Sequence, residues 1–331
     1  MSRTATWVRL AGKMPASTIA AHTPPTWETL ADGGTGEVAL AFALSPRSHH
    51  PLLRQGTLVE VMLGAQPVAS ARITDVDTTT WEVKAQGLSA VDLLALDVSG
   101  GPTRDVGVAI SVAQSKGWQV QNPGIAGVAA GEVGAPITLG KLLSEYAEER
   151  GMRWGVTGEA RLYVRPDPTT PYYTIAPGRA AFAPSNLGQA SHIVGRVDLG
   201  LGYASITVPQ GGYVTSEKSV DLTERGVLGV MEATAILGGL VALGATRGRW
   251  ASGVTLSRHQ LTRNGIPAAL PTFHAGQMVR AMGMPADLQV GGAPWADVVV
   301  GKTRYTAGSD EIYLEPVNTN AHDLADVLAE G

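Results

Sequence analysis

The sequence predicts a mainly β chain in which a mixed α/β insertion separates two β-rich domains. Three observations carry this prediction. Segments that alternate between apolar and polar residues occupy both ends of the chain, and segments with helical periodicity lie between them. The two β-rich parts also share a short internal similarity. In a chain of 331 residues we therefore expect domains at residues 1–97, 98–190 and 191–331.

The first domain is expected to form a small barrel or a sandwich. Its predicted strands are residues 6–10, 37–42, 57–63, 67–73 and 80–87. Gly64-Ala65-Gln66 separates the third strand from the fourth, a spacing typical of a hairpin. Short strands that follow one another with turn residues between them are typical of both architectures.

The middle domain is expected to mix helices and strands. Helices are predicted at residues 89–95, 105–116 and 138–150, and strands at 153–157, 161–165 and 172–176. The third helix has the clearest pattern, because Leu139, Leu142, Leu143 and Tyr146 recur at helical spacing and form one apolar face. Gly151 is expected to end it.

The last domain is expected to return to β structure. Its predicted strands are residues 193–197, 203–208, 215–220, 253–256, 277–282, 295–300, 302–306 and 311–317, and a terminal helix is predicted at 321–329. The Gly-rich segment 226–245 is long enough to span a membrane. Its five glycines, the charge of Glu232 and the lack of flanking aromatic residues instead favour a helix against protein or at a subunit contact, and we expect no membrane span.

The internal similarity joins residues 56–62 (GTLVEVM) to residues 276–282 (GQMVRAM). Gly, Val and Met match outright, and further predicted strands follow in the same order in both places. This pattern favours two related β domains. Two unrelated β regions remain the alternative.

Composition excludes several classes of protein. Lys and Arg number 25 against 29 Asp and Glu, a net charge of −4, which offers no footprint for binding phosphates. There is no cysteine for disulfides or metal sites, and 44% apolar residues are ample for a folded core. The first residues do not resemble a signal peptide, so we expect synthesis and assembly in a cytoplasm.

No pattern of catalytic or ligand-binding residues is present. The histidines show no metal-ligand spacing, and the chain lacks a P-loop, a dinucleotide fingerprint and a nucleophile elbow. Glu145, Glu148 and Glu149 are expected on the solvated face of their helix, and Asp75 and Asp77 beside a turn. We therefore predict no catalytic, cofactor-binding or metal-binding residue, and a protein that is not an enzyme.

Several segments resemble minor tail proteins from phages of actinobacteria. They are residues 47–63 with their neighbours, 80–103 (TWEVKAQGLSAVDLLALDVSGGPT), 138–154 (TLGKLLSEYAEERGMRW), 220–226 (VDLTERG) and 297–317 (DVVVGKTRYTAGSDEIYLEPV). These proteins are similar in layout to the baseplate hub and late control protein D family. The resemblance implies two tail-tube-like β-barrels interrupted by mixed α/β segments.

The same resemblance implies a structural role at a phage tail tip. It implies a homo-oligomeric ring that joins the tail tube to the tip and leaves a channel for DNA and the tape measure protein. Two tube-like domains per chain favour a trimer, since three chains would then present six barrels to a six-fold tube, and a hexamer remains the alternative. The implied neighbours are the distal tail protein and other tail-tip proteins, and the implied location is the virion. Few charges and no active site suit a ring built from copies of one chain.

Three other functions stay open at this point. A distal tail adaptor ring would use one barrel per chain, and therefore six chains. A receptor- or carbohydrate-binding tail protein would need clustered aromatic residues, whereas Trp27, Trp81, Trp250 and Trp295 are widely spread. A tail-borne cell-wall hydrolase would need paired carboxylates or a metal in a cleft.

Overall fold

The computed structural model describes residues 5–46, 48–98, 104–121, 125, 127, 129, 137–149, 152–184, 192–210, 217–223, 227–244, 248–250, 252–286 and 293–317. In this part of the chain the fold is mainly β with few helices, which confirms the predicted fold class. The α-helices are α1 (Val106–Ser115), α2 (Leu139–Glu149) and α3 (Val230–Gly244). A short π-helix at Ser89–Leu93 lies within the segment 89–95 that the sequence predicts as helical.

The strands of the first half of the chain are short except for β4 and β6. They are β1 (Thr6–Leu10), β2 (Met14–Pro15), β3 (Thr26–Leu30), β4 (Gly33–Ala41), β5 (Leu58–Leu63), β6 (Gln66–Asp77), β7 (Glu82–Gly87), β8 (Gln119–Val120), β9 (Met152–Val156), β10 (Arg161–Pro166) and β11 (Tyr173–Ile175).

The strands of the second half include one long strand near the C-terminal end. They are β12 (Phe182–Pro184), β13 (His192–Asp198), β14 (Tyr203–Val208), β15 (Glu217–Asp221), β16 (Gly248–Trp250), β17 (Val254–Ser257), β18 (Leu261–Arg263), β19 (Ile266–Pro267), β20 (Met278–Met282), β21 (Trp295–Thr306) and β22 (Glu311–Pro316).

The chain divides into two compact units. Unit 1 combines Met1–Tyr173, Thr255–Val279 and Val299–Leu314, and unit 2 combines Thr174–Val254, Arg280–Val298 and Glu315–Gly331. Each unit is therefore assembled from separate stretches of sequence. The three-domain division at residues 97 and 190 stays a prediction.

Unit 1 contains a curled antiparallel sheet with the order β2-β1-β5-β6-β7-β4-β3-β21. Side chains alternate between its two faces because successive residues of a strand point in opposite directions. Val8 lies opposite Val61, and Leu40 lies opposite Val83; all four side chains are buried. The period-two pattern of the sequence is thus the signature of this core.

The helices α1 and α2 and the strands β8 to β10 form a second core in unit 1. The predicted apolar face of α2 is confirmed, because Leu139, Leu142, Leu143 and Tyr146 are all buried. Helix α1 begins at Asp105, whose side chain accepts a hydrogen bond from the backbone N–H of Val108 at 3.1 Å, a typical N-cap. The predicted hairpin between residues 153–157 and 161–165 is confirmed as β9 and β10.

Unit 2 contains a small sheet in which β13 is central, with β14 antiparallel on one side and β15 parallel on the other. Helix α3 packs against this sheet. A Cβ added to Gly195 of β13 would lie only 2.7 Å from Cδ1 of Leu237, so the helix approaches the sheet closely at this glycine. The helix occupies 15 residues of the predicted Gly-rich segment. Among the described helices, none combines the length and the apolar character that a membrane crossing requires.

The C-terminal part of the chain departs from the sequence expectation at one strand. Residues 295–300 and 302–306 were expected as two strands, but β21 is one strand, because Ala31 donates a hydrogen bond to the backbone oxygen of Gly301 (2.8 Å) and the ladder continues through that glycine. The terminal helix predicted at 321–329 lies outside the described residues.

Candidate functional site

The first repeated element begins at Gly56, which has a φ of 84°. This left-handed conformation is accessible mainly to glycine. Gly56 donates a backbone hydrogen bond to Ile73 (2.8 Å), and Ile73 donates one back to Thr57 (2.9 Å). The six-residue β5, the 12-residue β6 and the six-residue β7 follow in order.

The second element repeats these contacts near the C-terminal end. Gly276 has a φ of 79°, donates to Val300 (2.7 Å), and Val300 donates back to Gln277 (2.9 Å). The five-residue β20, the 12-residue β21 and the six-residue β22 follow. The sequence similarity therefore marks two stretches with matching turn conformation, hydrogen bonds and strand order. That the two regions hold superimposable barrels stays a prediction.

Both elements place one charged pair at the same position of the first strand. In β5, Glu60 accepts two hydrogen bonds from Arg9 of β1, at 2.8 and 2.7 Å. In β20, Arg280 occupies the matching position and donates two hydrogen bonds to Asp297, both at 2.8 Å. These hydrogen bonds raise the pKa of both arginines. The sign of the charge is reversed between the copies, but each pair is neutral.

Strand β21 joins the main sheet of unit 1 through β3. The carboxylate of Glu28 accepts a hydrogen bond from Nε of Arg304 (2.7 Å), and Lys302 lies 3.1 Å from the same oxygen. Beside this group, the hydroxyls of Thr29 and Thr303 are hydrogen bonded at 2.7 Å, and Ala275 donates its backbone N–H to Thr29. A strand from the start of the chain and one from its end are thereby held in register.

Two further cations of this sheet, Arg72 and Lys84, also lie beside a carboxylate. Arg72 donates to Asp92 at 2.6 Å, and Lys84 lies 4.0 Å from Glu82. Each cation on these strands therefore has a carboxylate beside it, although Lys302 and Arg304 share the single carboxylate of Glu28. At physiological ionic strength, salt also screens the interactions of exposed charges beyond about 8 Å.

No arrangement typical of catalysis occurs in the described part of the chain. It contains no group of three or more His, Asp or Glu side chains that could hold a metal ion. Asp77 accepts hydrogen bonds from the backbone of Thr79 and the hydroxyl of Thr80, both at 2.8 Å, and these bonds lower the pKa of its carboxyl. Its role is to hold the turn that follows β6.

Glu145 differs from the sequence expectation. Its side chain is only 30% exposed and forms an ion pair with Arg104, whose side chain is buried. No pattern in the sequence marks this pair, because Arg104 precedes α1 whereas Glu145 lies within α2. The side chains of Glu148 and Glu149, expected on the same solvated face, lie outside the described ones.

The tryptophans considered for carbohydrate binding lie mostly in cores. Trp27, Trp81 and Trp250 are each 2% exposed. Trp295 is 38% exposed and lies beneath the guanidinium of Arg280, 5.1 Å from Cζ to the ring centre. These four side chains therefore do not form an exposed stacking platform.

The comparison with solved structures finds similarity over nearly all of the chain. The 43 kDa tail protein of prophage MuSo2 from Shewanella oneidensis aligns with a TM-score of 0.59 and 15% identity, covering 96% of this chain and 99% of that one. A tail protein from Neisseria meningitidis MC58 aligns with a TM-score of 0.53 and 15% identity, covering 97% of this chain and 98% of that one.

Comparisons of sequence find no relative of this chain. No family model matches it, and no curated protein matches it. At 15% identity the two structural similarities establish a shared fold. This chain therefore has, over nearly all of its length, the fold of two phage tail proteins.

Proposed function

We propose that this chain is a structural protein of a phage tail tip, a central hub ring that joins the tail tube to the tip. The observation that carries the proposal is the repeated element within a single chain of this fold. Gly56 and Gly276 share a left-handed conformation, matching hydrogen bonds and a matching order of strands. A ring of such chains contains twice as many β elements as chains. It can therefore contact a tube whose rotational symmetry is twice that of the ring.

The number of chains follows from this repeat. Three chains with two elements each present six equivalent β elements, which can match a six-fold tube. A closed ring of identical chains also satisfies every subunit contact. A distal tail adaptor with one element per chain would instead need six chains. The repeat therefore favours the trimeric hub over the adaptor.

A hub of this kind would leave a central channel for DNA and the tape measure protein. Its proposed neighbours are the distal tail protein and other tail-tip proteins of the virion. The net charge of −4 per chain supports this role, because a channel lined with free cations would release counterions from DNA and hold it. The proposed activity is assembly and not catalysis.

Cryo-electron microscopy of the purified full chain tests the proposal. We expect particles with three chains, a central channel and six similar β elements around it. Mass photometry of the same sample should give three times the mass of 34.3 kDa. A ring of six chains would favour the adaptor function, and a monomer at all protein concentrations would contradict both ring functions.

A further inference from the structure

The end of unit 2 carries an unusual number of exposed apolar side chains. Leu201, Tyr203, Val227, Val230 and Met231 are all exposed, and Leu201 and Met231 are almost completely so, at 104% and 88%. We name these five residues the unit 2 apolar surface. Soluble monomers rarely expose contiguous apolar patches of more than a few hundred Å².

The backbone brings these five residues together. Leu201 and Tyr203 lie at the turn between β13 and β14, and Val227 forms a bridge with Asp198 at the end of β13. A Cβ added to Gly200 would lie 3.1 Å from Cγ1 of Val227. Helix α3 begins at Val230, three residues after Val227. The first turn of α3 therefore places Val230 and Met231 at the same end of the unit.

The core of the small sheet is also incompletely covered on one side. Ile193 of β13 and Val220 of β15 are buried. On β14, Ala204, Ile206 and Val208 contact the same core but remain partly exposed. Among the described residues, the cover is thus incomplete along β14, the strand that begins at the apolar surface.

Charged groups of both signs border the surface. The guanidinium of Arg196 lies over the ring of Tyr203, at 4.9 Å from its centre, and Arg196 pairs with Asp221 of β15 across the sheet. Asp198 forms the bridge with Val227, and Glu232 is exposed next to Met231. The described residues at this edge therefore include one cation and the carboxylates of Asp198 and Glu232. This is the composition of a protein interface, with an apolar core and a polar rim.

We propose that the unit 2 apolar surface is a contact between subunits and that a second copy of this chain covers it. Five such side chains expose on the order of several hundred Å², a large share of the roughly 800 Å² that one partner contributes to a stable interface. Charges of both signs at the rim let an identical chain supply complementary partners for Arg196 and Glu232. Along α3, Ala235 is exposed and no atom lies within 4 Å of a Cβ added to Gly238, so another backbone can approach closely. The inference rests on the proposed ring and identifies a surface that holds it together.

Single cysteines provide a direct test, because the natural chain contains none. Met231→Cys places a thiol on the surface, and Val108→Cys provides the matched control, since Val108 is also exposed in the first turn of a helix. The full chain is labelled with a maleimide-polyethylene glycol while mass photometry reports its oligomeric state. We expect labelling of the Met231→Cys thiol to be at least tenfold slower than that of the Val108→Cys thiol in the oligomer, and comparable on dilution to monomers.

The outcomes separate this inference from the proposed function. An oligomer in which both thiols react equally fast would overturn the inference and leave the ring intact. A monomer in which the Met231→Cys thiol is protected would mean that the chain covers its own surface, and a freely labelled monomer would contradict the inference and the ring together. As a second variant, Met231→Glu should shift the protein to monomers, whereas Val108→Glu should not.

Discussion

At the scale of single residues, Gly87 at the end of β7 has no room for a side chain. A Cβ on Gly87 would lie 1.7 Å from the backbone oxygen of Thr35 in the neighbouring chain segment. In contrast, Gly238 in α3 has no atom within 4 Å of such a Cβ. The same substitution should therefore have opposite effects at the two positions.

We expect Gly87→Ala to lower the free energy of unfolding by about 3 kcal/mol, because the backbone must move to relieve the overlap. In the monomeric chain, Gly238→Ala should raise it by up to about 1 kcal/mol, because alanine favours the helix. Urea denaturation monitored by circular dichroism measures both. Equal effects of the two substitutions would contradict the close approach at Gly87.

The ion pair between the buried Arg104 and the partly exposed Glu145 gives a second residue-scale prediction. Glu145→Leu leaves the buried guanidinium of Arg104 without its carboxylate and should cost about 3 kcal/mol, as leaving a buried charge unpaired usually does, and Arg104→Met is the second single variant. The double substitution Arg104→Met and Glu145→Leu removes both charges and should recover most of that loss. Thermal denaturation of the two single variants and the double variant measures the coupling, and additive losses would contradict it.

Asp77 gives a prediction about pH. Its hydrogen bonds from Thr79 and Thr80 lower the pKa of the folded carboxyl below the ordinary value of about 3.9. The resulting stabilisation is present above that value and is lost as the pH falls through the folded pKa. The melting temperatures of the natural chain and of Asp77→Asn should therefore converge as the pH is lowered from 6 to 3. Asp75→Asn, which removes neither bond, should show no such convergence.

At the scale of elements, the joint between β3 and β21 depends on buried hydroxyls. Thr29 accepts a hydrogen bond from the backbone of Ala275 at 2.7 Å and is hydrogen bonded to Thr303. Thr29→Val keeps the shape but leaves the Ala275 N–H without its acceptor, at a cost of about 2 kcal/mol. Thr29→Ser keeps the hydroxyl and should cost less. Chemical denaturation distinguishes them, and equal losses would show that the hydroxyl has no role.

Elements with a strong local pattern were the most predictable. Helix α2 was predicted from four apolar residues at helical spacing, and it begins one residue after the predicted start. Its predicted end, residue 150 followed by Gly151, lies outside the described residues. Strand β21 was predicted as two pieces, 295–300 and 302–306, with Gly301 between them. The hydrogen bond from Ala31 to Gly301 continues the pairing with β3 across this glycine, and that pairing is not a local property.

At the scale of the whole molecule, the net charge of −4 and the paired cations predict weak binding to DNA. We expect the channel of the assembled ring to be neutral or acidic, with arginines at subunit contacts and on the outer face. The full chain should therefore leave duplex DNA unshifted in an electrophoretic assay at about 0.15 M salt, since few phosphates are neutralised. The variant Glu28→Gln, Glu60→Gln frees the partners of both carboxylates and should bind DNA more tightly. Strong binding by the natural chain would contradict the expected channel.

The sequence by itself determined the fold class, the apolar face of α2 and the similarity between residues 56–62 and 276–282. The fold class and the helix face could be predicted because buried apolar residues recur along the sequence with the period of a helix or a strand. Only the tertiary structure decided that Glu28 meets Arg304, 276 residues away, that Arg104 meets Glu145, and that the five residues of the unit 2 apolar surface lie together. Such contacts depend on how distant segments pair and pack. The periodicity of side chains along one segment shows which face is buried but does not specify which distant segment will contact it.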